Sequence, residues 1–317
     1  MRVVVSGGEG FIGSHTVERL AGLGHTVLVV DDQSHPCLHP SLPAVEQITA
    51  DEASSEVADA LASFRPDAVL HLAAKGGVAQ AMRDPALHIG AVLAHTVQFL
   101  ENAFAAGCRN LVIASSGGAA YGDPVVLPAH EQLTPAPRSA YGAEKCCEEL
   151  YLSTLGVRGA RTLALRYGNV YGPRQDGTGE AGVVAIAATR MAEGEPPVIY
   201  GDGMTTRDFV YVEDVVTANV AALTGNLSGA VNIGTGVEHS VRDIVGLLAQ
   251  EFGFDGEPEF RAAREGEVRR VCLDTGLASE KLQFRAVMAV ENGIRKTAQY
   301  FRMDQEQKRV ATLESMK

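Results

Sequence analysis

The chain has 317 residues, 46% of them hydrophobic and 21% charged, which suits one large globular domain or two smaller ones with a sizeable core. A formal charge of -12 argues against a nucleic-acid or anionic-membrane surface, although the local run "REGEVRR" (264–270) leaves room for a bound phosphate. Five cysteines (Cys37, Cys108, Cys146, Cys147 and Cys272) are odd in number and show no C-x-x-C spacing, so a zinc or redox site is not expected and the thiols read as reduced and mostly buried.

"MRVVVSGG" passes straight into a strand, without the charged and apolar regions of a signal peptide, and no apolar run reaches membrane-spanning length. A cytoplasmic protein is expected. "RVVVS", an amphipathic stretch from Phe11 to Leu23 and "HTVLVVDD" then give strand, helix and strand within 32 residues. Further strand-like runs follow at "DAVLHLAA" (67–74), "NLVIASS" (110–116) and "TLALRYGNV" (162–170), separated by helical patterns such as 86–106 and 142–155. Such alternation predicts an α/β fold built on a doubly wound parallel sheet.

After about Val170 the character changes to Gly/Pro-rich loops between helices at roughly 182–193, 213–224 and 240–252. We expect a first domain over 1–170 and a second, smaller α/β domain over 171–317, interleaved because "AVNIGTG" (230–236) reads as a buried strand returning to the first sheet. The charged tail from Arg302 reads as a frayed helix end.

Several short motifs carry chemistry. "SGGEGFIG" (6–13) sets Gly7, Gly10 and Gly13 three apart, with Phe11 and Ile12 opening the helix behind a strand. Glycines so placed allow a tight turn, close approach to a pyrophosphate and close helix packing, and the helix N-terminus offers N–H groups to an anion. The second strand ends in Asp31 and Asp32, where a carboxylate binds a ribose 2′-hydroxyl and disfavours a 2′-phosphate, so NAD is expected over NADP. Asp51 suits either the adenine amino group or the N-cap of the following helix. Leu72 and Ala73 end a strand on the edge that carries the glycine turn, and they fit a flat cofactor ring or a plain core strand equally well.

In "SAYGAEKCCEEL", Tyr141 precedes Lys145 by four residues, one turn along a helix. Taken alone, that pair is equally compatible with a surface ring beside an aliphatic stem. As a site, a cation beside the ring favours the phenolate, and moving a phenol from about 10 to about 7 takes roughly 4 kcal/mol. Ser115 and Ser116 end a strand, and side chains alternate along a strand, so only one of them faces the site. Gly117 and Gly118 let the backbone bend behind them, which would bring Ser116 to the site and leave Ser115 to the core or a backbone cap; the alternative is two small residues tolerated at a crowded strand end.

With "GGEGFIG", "VLHLAA", "SSGGAAYG", "YGAEK", "NVYGPRQ", "GDGMTTRDFVYVEDV" and "REGEVRR" in this order, the sequence resembles the extended short-chain dehydrogenase/reductases over nearly its whole length. Within them it resembles the NAD-dependent sugar-nucleotide epimerase/dehydratase family, and most of all the UDP-glucose 4-epimerase-type members. The resemblance implies a Rossmann fold, bound NAD, a UDP-linked nucleotide-sugar substrate, and a homodimer through the helices near 90–105 and 142–155. Tyr141 is then the acid/base, and Lys145 lowers its pKa and holds the nicotinamide ribose. The same resemblance assigns Asn169, Arg207 and Arg264 to the diphosphate, Glu267 to the nucleoside ribose, Tyr200 to the uracil and Val271 to the sugar pocket near the 2-substituent. Three positions depart from the family pattern: Ala91 where an asparagine usually faces the cofactor, Gly117 where a hydroxyl often bonds the substrate, and Gly168 where phenylalanine is common. Lys75 is a further residue able to shape the sugar pocket. A 4,6-dehydratase needs an acidic pair after the strand hydroxyl, and Gly117 and Gly118 stand there instead, which also disfavours a decarboxylase. The intact Tyr141 and Lys145 disfavour a non-catalytic NAD-binding regulator.

Overall fold

The computed structural model describes all residues except 35–44, 75–77, 125, 179–181, 265–266 and 316–317, so Cys37 and Lys75 lie outside the described residues. In chain order it runs β1 (Arg2–Ser6), α1 (Phe11–Gly22), β2 (Thr26–Asp31), β3 (Glu46–Thr49), α2 (Ser55–Phe64), β4 (Ala68–His71), α3 (Val78–Arg83), α4 (Pro85–Ala105), β5 (Asn110–Ser116), α5 (Gly117–Ala120), α6 (Ala140–Val157) and β6 (Arg161–Tyr167). Then follow β7 (Asn169–Tyr171), α7 (Val183–Ala192), β8 (Val198–Tyr200), β9 (Thr206–Tyr211), α8 (Val212–Thr224), β10 (Gly229–Ile233), β11 (Glu238–Ser240), α9 (Val241–Phe252), β12 (Glu259–Arg261), α10 (Gly276–Lys281) and α11 (Val290–Ser315).

Seven parallel strands form the central sheet in the order β10-β6-β5-β4-β1-β2-β3. Its strands read as continuous apolar runs because both faces are covered. Val3 and Val5 point to one face, with Val17 and Leu20 of α1 and Val215 and Ala218 of α8. Val4 points to the other, with Leu61 of α2, Phe99 and Leu100 of α4, and Leu152 and Leu155 of α6. After β3 the chain crosses to the far side of β1 and resumes at β4, which makes the β1/β4 boundary the switch point where such sheets open a crevice at their carboxyl ends.

The run 162–170 is not one strand. It breaks at Gly168, where a Cβ would lie 2.6 Å from the Asp208 carbonyl oxygen. β6 stays in the central sheet, and β7 joins a second sheet of order β11-β9-β7. The loop-rich second half thus holds strands that loop composition hid: β8, β9, β11 and β12, with β12 pairing β8. Polar and glycine neighbours mask the short apolar cores of β8 and β9, and β11 and β12 are themselves mostly polar. Tyr171, Phe209 and Tyr211 pack there with Val184 of α7, Ile244 of α9 and Ile294 and Phe301 of α11. The tail is not frayed at Arg302: α11 runs on to Ser315. Cys108 and Cys272 are buried, Cys146 is half-buried and Cys147 is exposed, so of the four described thiols two are buried.

Candidate active site

The turn after β1 is held tightly. Gly7 has φ +68°, a conformation that L side chains rarely adopt, and a Cβ there would stand 2.6 Å from the Ala73 nitrogen. A Cβ on Gly13 would stand 2.0 Å from the Gly7 carbonyl oxygen, so α1 starts hard against the turn. Gly10 caps α1 without a side-chain bond, which leaves first-turn N–H groups for an anion. Phe11 lies edge-on to His15, Ile12 packs against the core, and the Leu72 N–H donates to the Ser6 carbonyl at 3.0 Å. Asp31 accepts from the N–H groups of Glu9 (2.9 Å) and Gln33 (2.8 Å), fixing its carboxylate under the turn, and the exposed Asp32 accepts from Ser34 N–H at 2.9 Å. Asp51 is not the N-cap of α2: Ser54 fills that place, accepting from Val57 N–H, while Asp51 accepts from Ala53 N–H and lies 3.2 Å from His95 Nδ1.

Ser139 caps α6 by accepting from Gly142 N–H at 3.1 Å, which places Tyr141 in the first turn. Ser116 stands by the Tyr141 phenol and favours its ionised form, and the Lys145 Nζ lies 5.8 Å from the phenol ring centroid. Lys145 is buried, and its ammonium donates to both oxygens of Glu148 (2.9 and 3.0 Å) and lies 3.3 Å from Glu144. Burial raises the Tyr141 phenol above its ordinary value, Lys145 and Ser116 pull it down, and Glu144 and Glu148 add to the rise. The expected lowering by Lys145 is therefore present but outweighed, first by burial and then by the two carboxylates, Glu144 and Glu148, that share that one positive charge. Burial works against the Lys145 ammonium too, yet Glu148, Tyr141 and Glu144 together hold it above its usual value.

The two serines diverge. Ser115 is buried and donates to Glu149 of α6 at 2.5 Å, where Arg166 binds the same carboxylate, so it makes a side-chain bond and does not cap a backbone group. A Cβ on Gly118 would lie 3.3 Å from Asn169 Oδ1 and 3.7 Å from Ser116 Oγ, which brings Ser116 and Asn169 to one spot. At Gly117 a Cβ would meet the Leu273 δ carbons at 2.7 and 2.8 Å, so Leu273 fills the room that a hydroxyl-bearing side chain would need.

Arg207 donates to Glu267 at 2.9 Å and to the Thr206 carbonyl at 2.8 Å, and its burial lowers its pKa. Arg264 is exposed and stacks with its guanidinium carbon 4.0 Å from the Tyr200 ring centroid. The Arg264 hydrogen bond lowers the Tyr200 phenol's pKa. Val271 donates its N–H to the Thr206 carbonyl and packs with Tyr121, Ala129, Val268 and Leu273, in a buried cluster that reaches Gly117 through Leu273. Among the described residues no group of three or more His, Cys, Asp or Glu side chains could hold a metal ion.

Residues 3–234 match the NAD dependent epimerase/dehydratase family. The chain belongs to that family. It is 40% identical over 313 residues to the UDP-glucose 4-epimerase of Mycolicibacterium smegmatis, covering 95% of this chain and 99% of the relative. Against the putative UDP-glucose 4-epimerase of Methanocaldococcus jannaschii it is 36% identical over 301 residues, covering 95% and 98%. The crystal structure of the Thermotoga maritima UDP-glucose 4-epimerase with UDP-glucose superposes with a TM-score of 0.92 at 39% identity, covering 96% of this chain and 99% of that one. The Thermus thermophilus UDP-glucose 4-epimerase in complex with NAD gives 0.89, also at 39% identity, covering 95% and 99%.

An epimerase/dehydratase of this family uses NAD, and the residues present fit that cofactor. The turn closes on Gly7 and Gly13 with no room for side chains, α1 offers uncapped N–H groups, and Asp31 stands fixed at the end of the neighbouring strand. Sequence reasoning missed Glu144 and Glu148, although Tyr141, Glu144, Lys145 and Glu148 follow the i, i+3, i+4, i+7 stripe of α6, which continues into the buried Leu152 and Leu155. Charged residues on the buried stripe of a helix were the available signal. It also missed the buried Asp208, which accepts from Thr235 N–H (2.8 Å), Gly236 N–H (3.0 Å) and Leu273 N–H (3.2 Å) and so ties β9 to the segment behind Gly117.

Proposed function

We propose that this protein is a UDP-hexose 4-epimerase. The observation that carries the reading is the Tyr141 phenol beside Ser116, with Lys145 on the next turn of the same helix and its ammonium 5.8 Å from the phenol ring centroid. As a phenolate, Tyr141 takes the proton of the sugar 4-hydroxyl, and Ser116 bonds the same oxygen. NAD, when bound, supplies the hydride acceptor at that carbon and then the donor. Tyr141 holds the proton while the ketose turns, and gives it back to the oxygen on return. Gly7, Gly10, Gly13, Phe11 and Ile12 serve the cofactor's pyrophosphate, Asp31 and Asp32 its ribose, Asp51 its adenine, Leu72 and Ala73 its flat rings, and Lys145 the nicotinamide ribose.

Asn169, Arg207 and Arg264 hold the substrate diphosphate, where guanidinium forks suit phosphate oxygens. Glu267 meets the nucleoside ribose and Tyr200 the uracil. Arg207 must then exchange part of its bond to Glu267 for phosphate, and Arg264 must leave or share the Tyr200 face. The small Val271 leaves volume for an N-acetyl group, so UDP-N-acetylglucosamine is accepted beside UDP-glucose. No carboxylate follows Ser116 to promote elimination, which favours epimerisation over dehydration or decarboxylation. We further place the enzyme in the cytoplasm as a homodimer through the helices near 90–105 and 142–155. The exposed Leu150 and Val157 of α6 support that pairing.

The test is to incubate the purified protein with UDP-glucose, UDP-N-acetylglucosamine and UDP-glucuronate in turn and identify the products. Appearance of the 4-epimers supports the reading. A keto-deoxy or decarboxylated product, or none, overturns it.

A further inference from the structure

Behind the active-site lysine lies a buried polar chain that ordinary core packing does not require. Glu148 binds the Lys145 ammonium through both oxygens and accepts from Thr96 Oγ1 at 3.2 Å. Thr96 has one hydroxyl proton, and Glu148 receives it, so the His71 Nε2 at 3.1 Å is the donor to Thr96 and its Nδ1 accepts from Ser6 Oγ at 2.6 Å. His71 is thereby a neutral, oriented ring, consistent with burial and the nearby Lys145 pushing it down to about 3. Thr96, His71, Ser6 and Glu148 are all essentially excluded from solvent.

The groups facing Glu148 come from three sides. From its own helix there are Tyr141, Glu144 and Lys145, from α4 Thr96, with His88 Nε2 2.5 Å from Glu144, and from the sheet, through Thr96, His71, whose Nδ1 also lies 3.4 Å from Glu52. Two carboxylates thus surround one ammonium beside one phenol. A like-charged neighbour opposes ionisation of the phenol, and a cation promotes it.

We propose that Glu148 is a positioning residue: anchored through Thr96 and His71, it grips the Lys145 ammonium and so governs how much of that charge reaches the Tyr141 phenol. It touches neither sugar nor cofactor. It acts on the phenol through its hold on Lys145 and through its own nearby charge. For its consequence in turnover the inference rests on the epimerase reading above, but the ionisation of Tyr141 does not depend on that reading.

The experiment is an ultraviolet difference titration of tyrosinate in the full chain with NAD added, with the Tyr141→Phe titration subtracted to isolate the one phenol. Glu148→Gln removes the negative charge in the same volume and is expected to lower the Tyr141 midpoint by roughly one pH unit or more. Glu148→Ala, used if the glutamine variant does not fold, moves it the same way, and Glu148→Asp, which keeps the charge, stays closer to the parent. In an active enzyme the acid limb of the kcat profile falls with the midpoint. A lowered melting temperature with an unmoved Tyr141 midpoint overturns the proposal and leaves Glu148 a structural residue. Absence of epimerase activity with a shifted midpoint overturns the functional reading and not this one.

Discussion

Charge is handled in opposite ways at the two ends of the candidate site. Around α6 the charged side chains are interior: Glu144, Lys145 and Glu148 are 1%, 3% and 0% exposed, and each faces a partner. At the substrate end Arg207 is partly buried and paired with Glu267, and Arg264 is an exposed side chain resting on Tyr200. Interior charges are costly to expose or unpair, so the first group is a fixed instrument whose members set one another's protonation. Pairs nearer the solvent contribute less and exchange partners more readily, so on the proposed function the second group can release its arginines to an incoming diphosphate. On the proposed function, one end performs chemistry and must not move; the other performs capture and must.

The contrast is broken or sharpened by mutation. Tyr141→Phe removes the group that the interior charges serve, and kcat should fall by on the order of 10² or more with the melting temperature nearly unchanged. Near-parental turnover on UDP-glucose would place the base elsewhere.

The second effect is on acid stability. His71 is held neutral, with its folded value depressed from an ordinary 6.5 to about 3. The unfolded chain takes up a proton at this residue that the folded chain refuses, so stability is full above about pH 6.5 and is lost as pH falls toward 3. The slope from this one group is ~1.4 kcal/mol per pH unit inside that window. Calorimetric melting across the window should show it, and His71→Asn should flatten it; equal slopes in both proteins would remove His71 from the acid response.

At the capture end, Arg207→Ala should raise KM roughly tenfold while kcat changes little, the pattern of an interaction made equally in ground and transition states. An equal fall in kcat would move Arg207 into the chemical step. The smallest and most diagnostic pair is at the end of β5. Ser115→Ala leaves the Glu149 and Arg166 pair without its hydroxyl and should lower stability by about 1–3 kcal/mol with kcat intact. Ser116→Ala should lower kcat and leave the melting temperature alone. Exchange of these two outcomes would mean that the serines' faces are assigned the wrong way round.

How much of this could be read from the letters follows from where each signal lives. β5 is the run "NLVIASS" end to end, and β1, β2 and β4 lie inside their predicted runs, because a parallel strand covered on both faces must be apolar throughout. The glycine turn, Asp31 and the Tyr141 and Lys145 pair were legible for a similar reason: each works through neighbours within one turn or one strand end. The strand Glu46–Thr49 was not, since three of its four residues are polar and only its pairing with Leu28–Asp31 makes it a strand.

Sequence alone thus determined the fold class, the tight glycine turn after β1 and the placing of Tyr141 and Lys145 on one helix face, all products of local periodicity and backbone allowance. Only the tertiary structure decided what surrounds them. The break at Gly168 exists because the Asp208 carbonyl comes within contact from β9. Leu273 occupies the place beside Gly117 from more than 150 positions away along the chain. The company of Lys145 is drawn from α6, α4 and β4 together. Desolvation is a property of a place in three dimensions, and a glutamate four residues after another reads as a solvated helix face until the helices packed against it remove the water.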